Sequence, residues 1–237
     1  MSERAANILM RLIAAVESWM EYMRIVVKSE HVIVEHSMCQ PISDYLERLP
    51  DVNFELEKGY DILAKKRVDV YWKYNNTEEV FMELKIAEGY SAEKLSDIFD
   101  DLCRLSLLLG NNKSCYFMLS GETESFETLF YNTQKLPKRK HKICEWLSLD
   151  QAENKKERTI QAQKKVINNR IRKSNRKILD CYKAFLQEYD NAFQVRNNGQ
   201  TLANNMQPFK TRLIHYNNYN KMNKSKNSIA LWEIYRD

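Results

Sequence analysis

Asp69, Glu83 and Lys85 are the residues whose types and spacing are best suited to chemistry. Residues 68–72 and 80–86 are rich in β-branched and aromatic side chains, which predicts two strands, and the polar stretch KYNNTEE between them favours a hairpin turn. Glu83 and Lys85 are two residues apart, so a strand directs both side chains to one face. If the turn is centred on Asn76, residues whose numbers sum to 152 face each other, and Asp69 then faces Glu83.

Two opposed carboxylates need a compensating charge. Cross-strand Cβ atoms are roughly 5 Å apart, and like charges at that position destabilise a sheet. Either Lys85 or a divalent cation held between the carboxylates offsets the repulsion. Oxygen-only ligands suit Mg²⁺, with Mn²⁺ as an alternative, rather than zinc. A metal ion beside a lysine suits phosphodiester hydrolysis, because both stabilise charge on a phosphoryl group. The hairpin is therefore interpreted as a candidate nuclease centre.

The motif D-(x)13-E-L-K on adjacent strands, followed by a helix and another strand, resembles the PD-(D/E)XK phosphodiesterase superfamily. This superfamily includes restriction endonucleases and many repair and defence nucleases. The resemblance covers residues 30–121, and Val68 stands where the family often has a proline before its first acid. It implies a restriction-endonuclease-like α/β fold with a mixed β-sheet flanked by helices.

The resemblance also implies a role for each matching residue. Asp69 and Glu83 would bind the metal together with the main-chain carbonyl of Leu84. Lys85 would orient or deprotonate the attacking water, or stabilise charge on the phosphate, and these roles stay open. A glutamate on the helix before the sheet often assists the family's metal site. Glu35 is the candidate here, although an ordinary glutamate at a helix end explains it as well, and the weaker candidates are Glu30 and Glu47.

Periodic patterns predict the elements that position these residues. Helices are expected over residues 2–28, over 30–49 with a break near Pro41, and over 91–109 after a cap at Ser91. Strands are expected over 53–63 and 114–120, with a short helix over 126–132. The chain is divided into an N-terminal helix (1–28), a nuclease-like core (29–135) and a basic, mainly helical C-terminal region (136–237) ending in two strands, 211–216 and 228–235.

Several acidic residues compete with these assignments. Asp61 is a rival for the first acidic position, but it follows Gly59 and suits a turn. Asp97, Asp100, Asp101 and Arg104 are interpreted as surface ion pairs of one helix rather than ligands. A second interpretation makes the ELK segment a solvated strand edge.

Charge is distributed unevenly along the chain, whose net charge is +5. Residues 1–135 carry 15 Lys and Arg against 23 Asp and Glu, whereas residues 136–237 carry 22 against 9. A basic region beside an acidic centre is typical of binding to a polyanion such as nucleic acid. A basic helix with an apolar stripe is expected over 153–189, and an ordinary basic surface helix is the alternative. The candidate nucleic-acid contacts are Lys138, Arg139, Lys140, Lys164, Lys165, Arg170, Lys173, Arg176 and Lys177.

Composition narrows the class of protein. Five cysteines without a C-x-x-C pair argue against structural zinc and favour a reducing, cytoplasmic location. No apolar run suggests a membrane span or a signal peptide. The sequence therefore predicts a Mg²⁺-dependent endonuclease of restriction, defence or repair type, acting on nucleic acid, with DNA favoured, and compatible with a homodimer or a partner protein. The alternative is a non-catalytic nucleic-acid-binding or assembly module built on a nuclease-like core.

Overall fold

The fold is built on one mixed β-sheet with helices on both faces, as seen in a computed structural model. The structure describes residues 3–27, 35–63, 66–88, 91–132, 139–149, 158–159, 176–217 and 227–236. Six strands of eight to ten residues and one two-residue strand form the sheet, in the order β1-β2-β3-β4-β9-β8-β7. The strands are β1 (Val52–Gly59), β2 (Arg67–Tyr74), β3 (Glu78–Ile86), β4 (Lys113–Glu122), β5 (Tyr131–Asn132), β6 (Arg139–Lys140), β7 (Arg158–Thr159), β8 (Lys210–Asn217) and β9 (Asn227–Tyr235).

Two helix layers bury the two faces of this sheet. Helices α1 and α2 cover one face over a core that includes Leu12, Trp72 and Met82. Helices α3, α4 and α5 cover the other face, where Phe99 and Phe117 are fully buried. The described helices are α1 (Glu3–Val27), α2 (Glu35–Leu46), α3 (Ala92–Leu108), α4 (Thr123–Phe130), α5 (Arg176–Arg196) and α6 (Leu202–Asn205), with a 3₁₀ turn at Lys142–Glu145. The predicted α/β class with a mixed sheet flanked by helices is confirmed.

The β2–β3 hairpin has the predicted register. Five residue pairs, from Tyr74 opposite Glu78 to Val70 opposite Met82, all sum to 152. The turn places Asn75 and Asn76 at φ 49° and 56°, a left-handed conformation that asparagine tolerates better than most residues. The local turn chemistry therefore sets which side chains of the two strands lie next to each other.

Strands β3 and β4 are parallel, and α3 is the connection between them. The Ser91 hydroxyl caps α3 by accepting a hydrogen bond from the Lys94 amide at 3.0 Å, as the sequence predicts. The two central strands are buried on both faces, which explains their continuous apolar runs. This crossover places one side of α3 directly over the ELK segment of β3.

The C-terminal strands complete the same sheet. β9 lies between β4 and β8 and pairs antiparallel with both. The two strands predicted over 211–216 and 228–235 are confirmed. The sheet therefore runs across residue 135, where the sequence predicts a boundary between the core and the basic region.

Three helix predictions differ from the structure. Pro41 lies inside α2 and does not break it, because Met38, Ile42 and Leu46 bury that helix against the sheet. The short helix after β4 spans Thr123–Phe130 rather than 126–132, because Phe126 and Phe130 enter the core and the chain then turns into β5. The helix expected over 153–189 is described only from Arg176, and it continues to Arg196.

Candidate active site

The candidate site lies where β2 and β3 stop pairing. The last recorded pair is Val70 with Met82, one step before Asp69 and Glu83. Beyond this pair, the main-chain amide of Leu84 donates to Asp69 Oδ2 at 2.7 Å. The Asp69 carboxylate thus takes the place of a main-chain carbonyl of β2 as the acceptor. The two carboxyls approach within hydrogen-bonding reach of each other. The strand register therefore brings the two predicted acids together.

Glu83 is almost completely buried, with 2% of its surface exposed. The Tyr60 hydroxyl donates to Glu83 Oε1 at 2.6 Å, and the guanidinium of Arg104 donates to the same oxygen at 3.2 Å. Burial excludes the interpretation of ELK as a solvated strand edge. A carboxylate in such surroundings must be matched by positive charge or carry a proton.

Lys85 is held between two carboxylates from different helices. Its Nζ lies 3.1 Å from Glu35 Oε2 and 3.4 Å from Asp101 Oδ2. Glu35 also accepts a hydrogen bond from the Ile86 amide at 3.4 Å, which fixes its position at the end of β3. The Lys85 side chain is 17% exposed, so the ammonium group retains access to solvent. The structure thus brings Glu35, Asp69, Glu83 and Lys85 into one cluster.

The acidic pair has strongly perturbed electrostatics. Burial raises the pKa of Glu83 well above its ordinary value, and the Asp101 and Asp69 carboxylates raise it further. Burial also raises the pKa of Asp69, while the hydrogen bonds with the Leu84 amide and the Glu83 carboxyl oppose that rise. The raised pKa values mean that it is unfavourable for both carboxyls to be ionised at once. A cation bound between them would therefore stabilise the ionised pair.

The cations of the cluster stay charged at neutral pH. Burial lowers the pKa of Lys85, but Asp101 and Glu35 raise it more, so the pKa lies above its ordinary value. The pKa of Arg104 is likewise raised by Asp101 and Glu83 despite burial. Burial raises the pKa of Asp101 to about 6 against the effect of Arg104 and Lys85. Lys85 is therefore a permanent cation in this arrangement.

The donor set fits a hard divalent cation. The carboxylates of Glu35, Asp69, Glu83 and Asp101 outnumber the two cations Lys85 and Arg104, so the ionised cluster lacks two positive charges. Mg²⁺ is commonly held by one or two carboxylates and completes its shell with water and substrate oxygens, which matches Asp69 and Glu83. Within the described ranges, no group of three or more His, Cys, Asp or Glu side chains is arranged to hold a metal ion, so water and substrate oxygens would have to complete the shell.

The sequence interpretation missed Tyr60, Asp101 and Arg104. Asp101 is 2% exposed and contacts Arg104, so this helix pair is buried in the site rather than lying on the surface. A signal for Asp101 was present, because it lies three residues after Ile98 and four before Leu105, on the buried stripe of α3. Tyr60 directly follows β1 and has no comparable pattern.

The rival acids lie away from the cluster. Glu47 is exposed in the turn after α2, and Asp61 is exposed in the connection between β1 and β2. The main-chain carbonyl of Asp61 accepts a hydrogen bond from Arg196 at 2.8 Å, which fits the turn role. Glu30 lies outside the described residues.

The basic candidates are only partly covered by the structure. Arg139 and Lys140 form strand β6, and Arg176 and Lys177 begin α5. Lys138, Lys164, Lys165, Arg170 and Lys173 lie outside the described residues.

The end of α5 nevertheless reaches the candidate site. Glu188 pairs with Lys66 at 3.0 Å, and Arg196 donates to the carbonyl of Tyr60 at 3.3 Å. The basic region of the chain is thus connected to the acidic cluster through α5.

Comparisons with known proteins add no relative. No protein-family model matches the sequence, and searches of curated proteins and of solved structures found no match. No helix in the described part of the chain has the length and apolarity needed to cross a membrane. The resemblance to the PD-(D/E)XK superfamily therefore stands on the hairpin residues and their surroundings.

Proposed function

We propose that this protein is a Mg²⁺-dependent phosphodiesterase, a DNA endonuclease of the restriction, defence or repair type. The observation that carries the proposal is the meeting of the Asp69 and Glu83 carboxyls at the end of the β2–β3 pairing, with the Lys85 ammonium on the same strand as Glu83. Two adjacent buried acids destabilise a structural core, and Lys85 is already paired with Glu35 and Asp101. A role in chemistry therefore explains Asp69 and Glu83 better than packing does.

Each residue has a defined part in this proposal. Asp69, Glu83 and the main-chain carbonyl of Leu84 would hold the Mg²⁺ ion, with Mn²⁺ as a substitute. The bound ion would polarise a phosphoryl oxygen and favour ionisation of a water molecule. Lys85 supplies positive charge to the phosphate, because its own pKa is raised and it stays protonated. Glu35 holds the Lys85 ammonium in place.

The distribution of charge along the chain supports a polyanionic substrate. The basic second half of the chain would bind the phosphate backbone independently of sequence. Cleavage of both strands commonly needs two centres, which a homodimer or a partner protein would supply. The buried thiols of Cys39, Cys103, Cys115 and Cys144 are compatible with action in the cytoplasm.

A cleavage assay tests the proposal directly. Supercoiled plasmid and single-stranded DNA are incubated with Mg²⁺, Mn²⁺ or EDTA and with wild type, Asp69→Asn, Lys85→Ala or the control Glu79→Gln. Glu79 is a matched control because it lies on the same strand, β3, four residues before Glu83. It accepts a hydrogen bond from the Tyr71 hydroxyl, and glutamine can still accept that bond.

We expect metal-dependent nicking by wild type and Glu79→Gln, reduced at least about 100-fold in Asp69→Asn and Lys85→Ala. Nicking that persists in both site variants would refute the assignment.

One observation favours a second candidate, a non-catalytic nucleic-acid-binding or assembly module. Glu83 already has an internal cation in Arg104, and Lys85 already has two internal anions. A network satisfied in this way can hold a core together without a metal. Intact DNA under all conditions, with salt-sensitive binding unchanged in Asp69→Asn and Lys85→Ala, would favour this module.

A further inference from the structure

Arg104 is placed as an internal counter-ion of the acidic cluster. It lies on α3, one helical step after Asp101, and its guanidinium contacts both Asp101 Oδ1 and Glu83 Oε1. The Arg104 side chain is 11% exposed, and those of Glu83 and Asp101 are 2% and 3% exposed. The contact therefore joins α3 to β3 where water screens charges weakly.

The Glu83 carboxylate is held on one side. Tyr60 and Arg104 both donate to Oε1, and the Arg104 guanidinium also lies 5.8 Å from the centre of the Tyr60 ring. Arg104 and Tyr60 thus fix the Glu83 carboxylate that would share a cation with Asp69. A metal bound there would lie close to a fixed positive charge.

We propose that Arg104 sets the metal affinity of this site. The guanidinium stabilises the buried acids when no metal is bound, and it weakens metal binding by repelling the incoming cation. Arg104 is thus a positioning residue whose charge competes with the metal. This inference rests on the proposed function, because it requires that Asp69 and Glu83 bind a divalent ion.

If the charge of Arg104 controls metal affinity, two substitutions that each remove one charge should change that affinity in opposite directions. Arg104→Gln removes a repulsive charge and keeps a hydrogen-bond donor, so metal binding should tighten. Asp101→Asn removes an attractive charge and leaves Arg104 with Glu83 as its nearest carboxylate, so metal binding should weaken. If the α3 pair merely shaped the site, both variants would weaken metal binding.

The experiment measures binding of Mn²⁺ and Mg²⁺ alone, without DNA. Isothermal titration calorimetry and the metal-induced shift in Tm are recorded for wild type, Arg104→Gln, Arg104→Lys, Asp101→Asn and Glu83→Gln. We expect a Kd at least about tenfold lower for Arg104→Gln, about tenfold higher for Asp101→Asn and close to wild type for Arg104→Lys. Without metal, Arg104→Gln should melt below wild type, and added metal should narrow or reverse that difference.

The outcomes separate this inference from the proposed function. In one outcome, wild type binds the metal, Glu83→Gln does not, and Arg104→Gln binds it no more tightly than wild type. That result overturns the role of Arg104 and supports the metal site. Equal metal response in wild type and Glu83→Gln, or none in either, overturns both. If Arg104→Gln does not fold, Asp101→Asn still tests the inference, because metal affinity equal to or above that of wild type overturns it.

Discussion

Glu35 and Lys85 are 50 residues apart in the sequence, and Glu35 Oε2 lies 3.1 Å from Lys85 Nζ. The glutamate belongs to α2, in the helix layer on one face of the sheet. The second carboxylate on Lys85, that of Asp101, comes from α3 in the opposite layer. The lysine is therefore clamped between the two layers, and its position depends on both.

Glu35→Gln should weaken catalysis without abolishing it. Glutamine can still accept from the Ile86 amide and contact Lys85, but it no longer supplies negative charge. We expect kcat for plasmid nicking to fall about tenfold. Plasmid nicking by equal amounts of the variant and wild type measures this change. An unchanged kcat would show that the charge of Glu35 does not contribute through Lys85.

Asp69→Asn and Asp69→Ala should differ in stability. Asparagine keeps an acceptor for the Leu84 amide and removes the repulsion with Glu83, whereas alanine leaves that amide without its partner. We expect Asp69→Ala to unfold with a free energy about 1–2 kcal/mol below that of Asp69→Asn in urea. Equal stability of the two variants would contradict a structural role for the 2.7 Å hydrogen bond.

Asp100 should make stability pH-dependent. Burial and the Glu188 carboxylate together raise its pKa to about 7 against the effect of Arg104. Between pH 4 and 7 the folded state then binds more protons than the unfolded state, so the free energy of unfolding falls as pH rises through this range. Asp100→Asn should remove that loss and stabilise the protein at pH 8 by about 1 kcal/mol, allowing for solvent screening.

Urea unfolding at pH 5 and pH 8 checks the Asp100 prediction. The difference in stability between the two pH values should be smaller in Asp100→Asn than in wild type. A variant that gains the same stability at both pH values would rule out a titration effect.

Gly121→Ala should be strongly destabilising. Gly121 has φ of 150°, and an added Cβ would lie 2.9 Å from the carbonyl oxygen of Ala87 and 3.2 Å from its Cβ. The backbone there is fixed by the Ala87 amide, which donates to Ser120 at 2.7 Å. We expect a loss of about 2–4 kcal/mol in the free energy of unfolding. Gly59→Ala is the control, because nothing lies within 4 Å of its Cβ position, and it should be close to neutral.

Nucleic-acid binding should depend steeply on salt through the basic region. Replacing Lys164, Lys165, Arg170 and Lys173 with glutamine should reduce the magnitude of the slope of log K against log salt by about 3–4. Fluorescence anisotropy with labelled duplex at several salt concentrations measures this slope. The control is Lys58→Gln with Lys113→Gln, whose lysines pair with Glu55 and Glu79 and should leave the slope unchanged.

Local patterns predicted much of the fold. The asparagine-rich turn and the flanking β-branched residues predicted the hairpin and its register, and Ser91 predicted the start of α3. These features are determined by residues close together in the chain. Strand alternation alone predicted that Glu83 and Lys85 lie on the same face of β3.

Non-local packing accounts for what the sequence interpretation missed. Polar residues on a helix usually lie at the surface, so the burial of Asp101 and Arg104 depends on Lys85 and Glu83 of β3, the charged side chains with which they pair. Pro41 remains helical because tertiary packing outweighs its local preference. The position of β9 between β4 and β8 likewise depends on the whole sheet.

The insertion of β9 between β4 and β8 has a consequence for synthesis. The hydroxyls of Thr123 and Ser228 meet at 3.0 Å across a separation of 105 residues, so β4 has no partner on that edge until the β9 segment has been made. At about 5–20 residues per second, the ribosome needs roughly 5–20 s to cover that distance. Residues 115–119, all fully buried in the finished sheet, form an apolar strand of the kind that aggregates when its edge is open. The yield of folded protein in a cell should therefore depend on how well that nascent edge is shielded by chaperones.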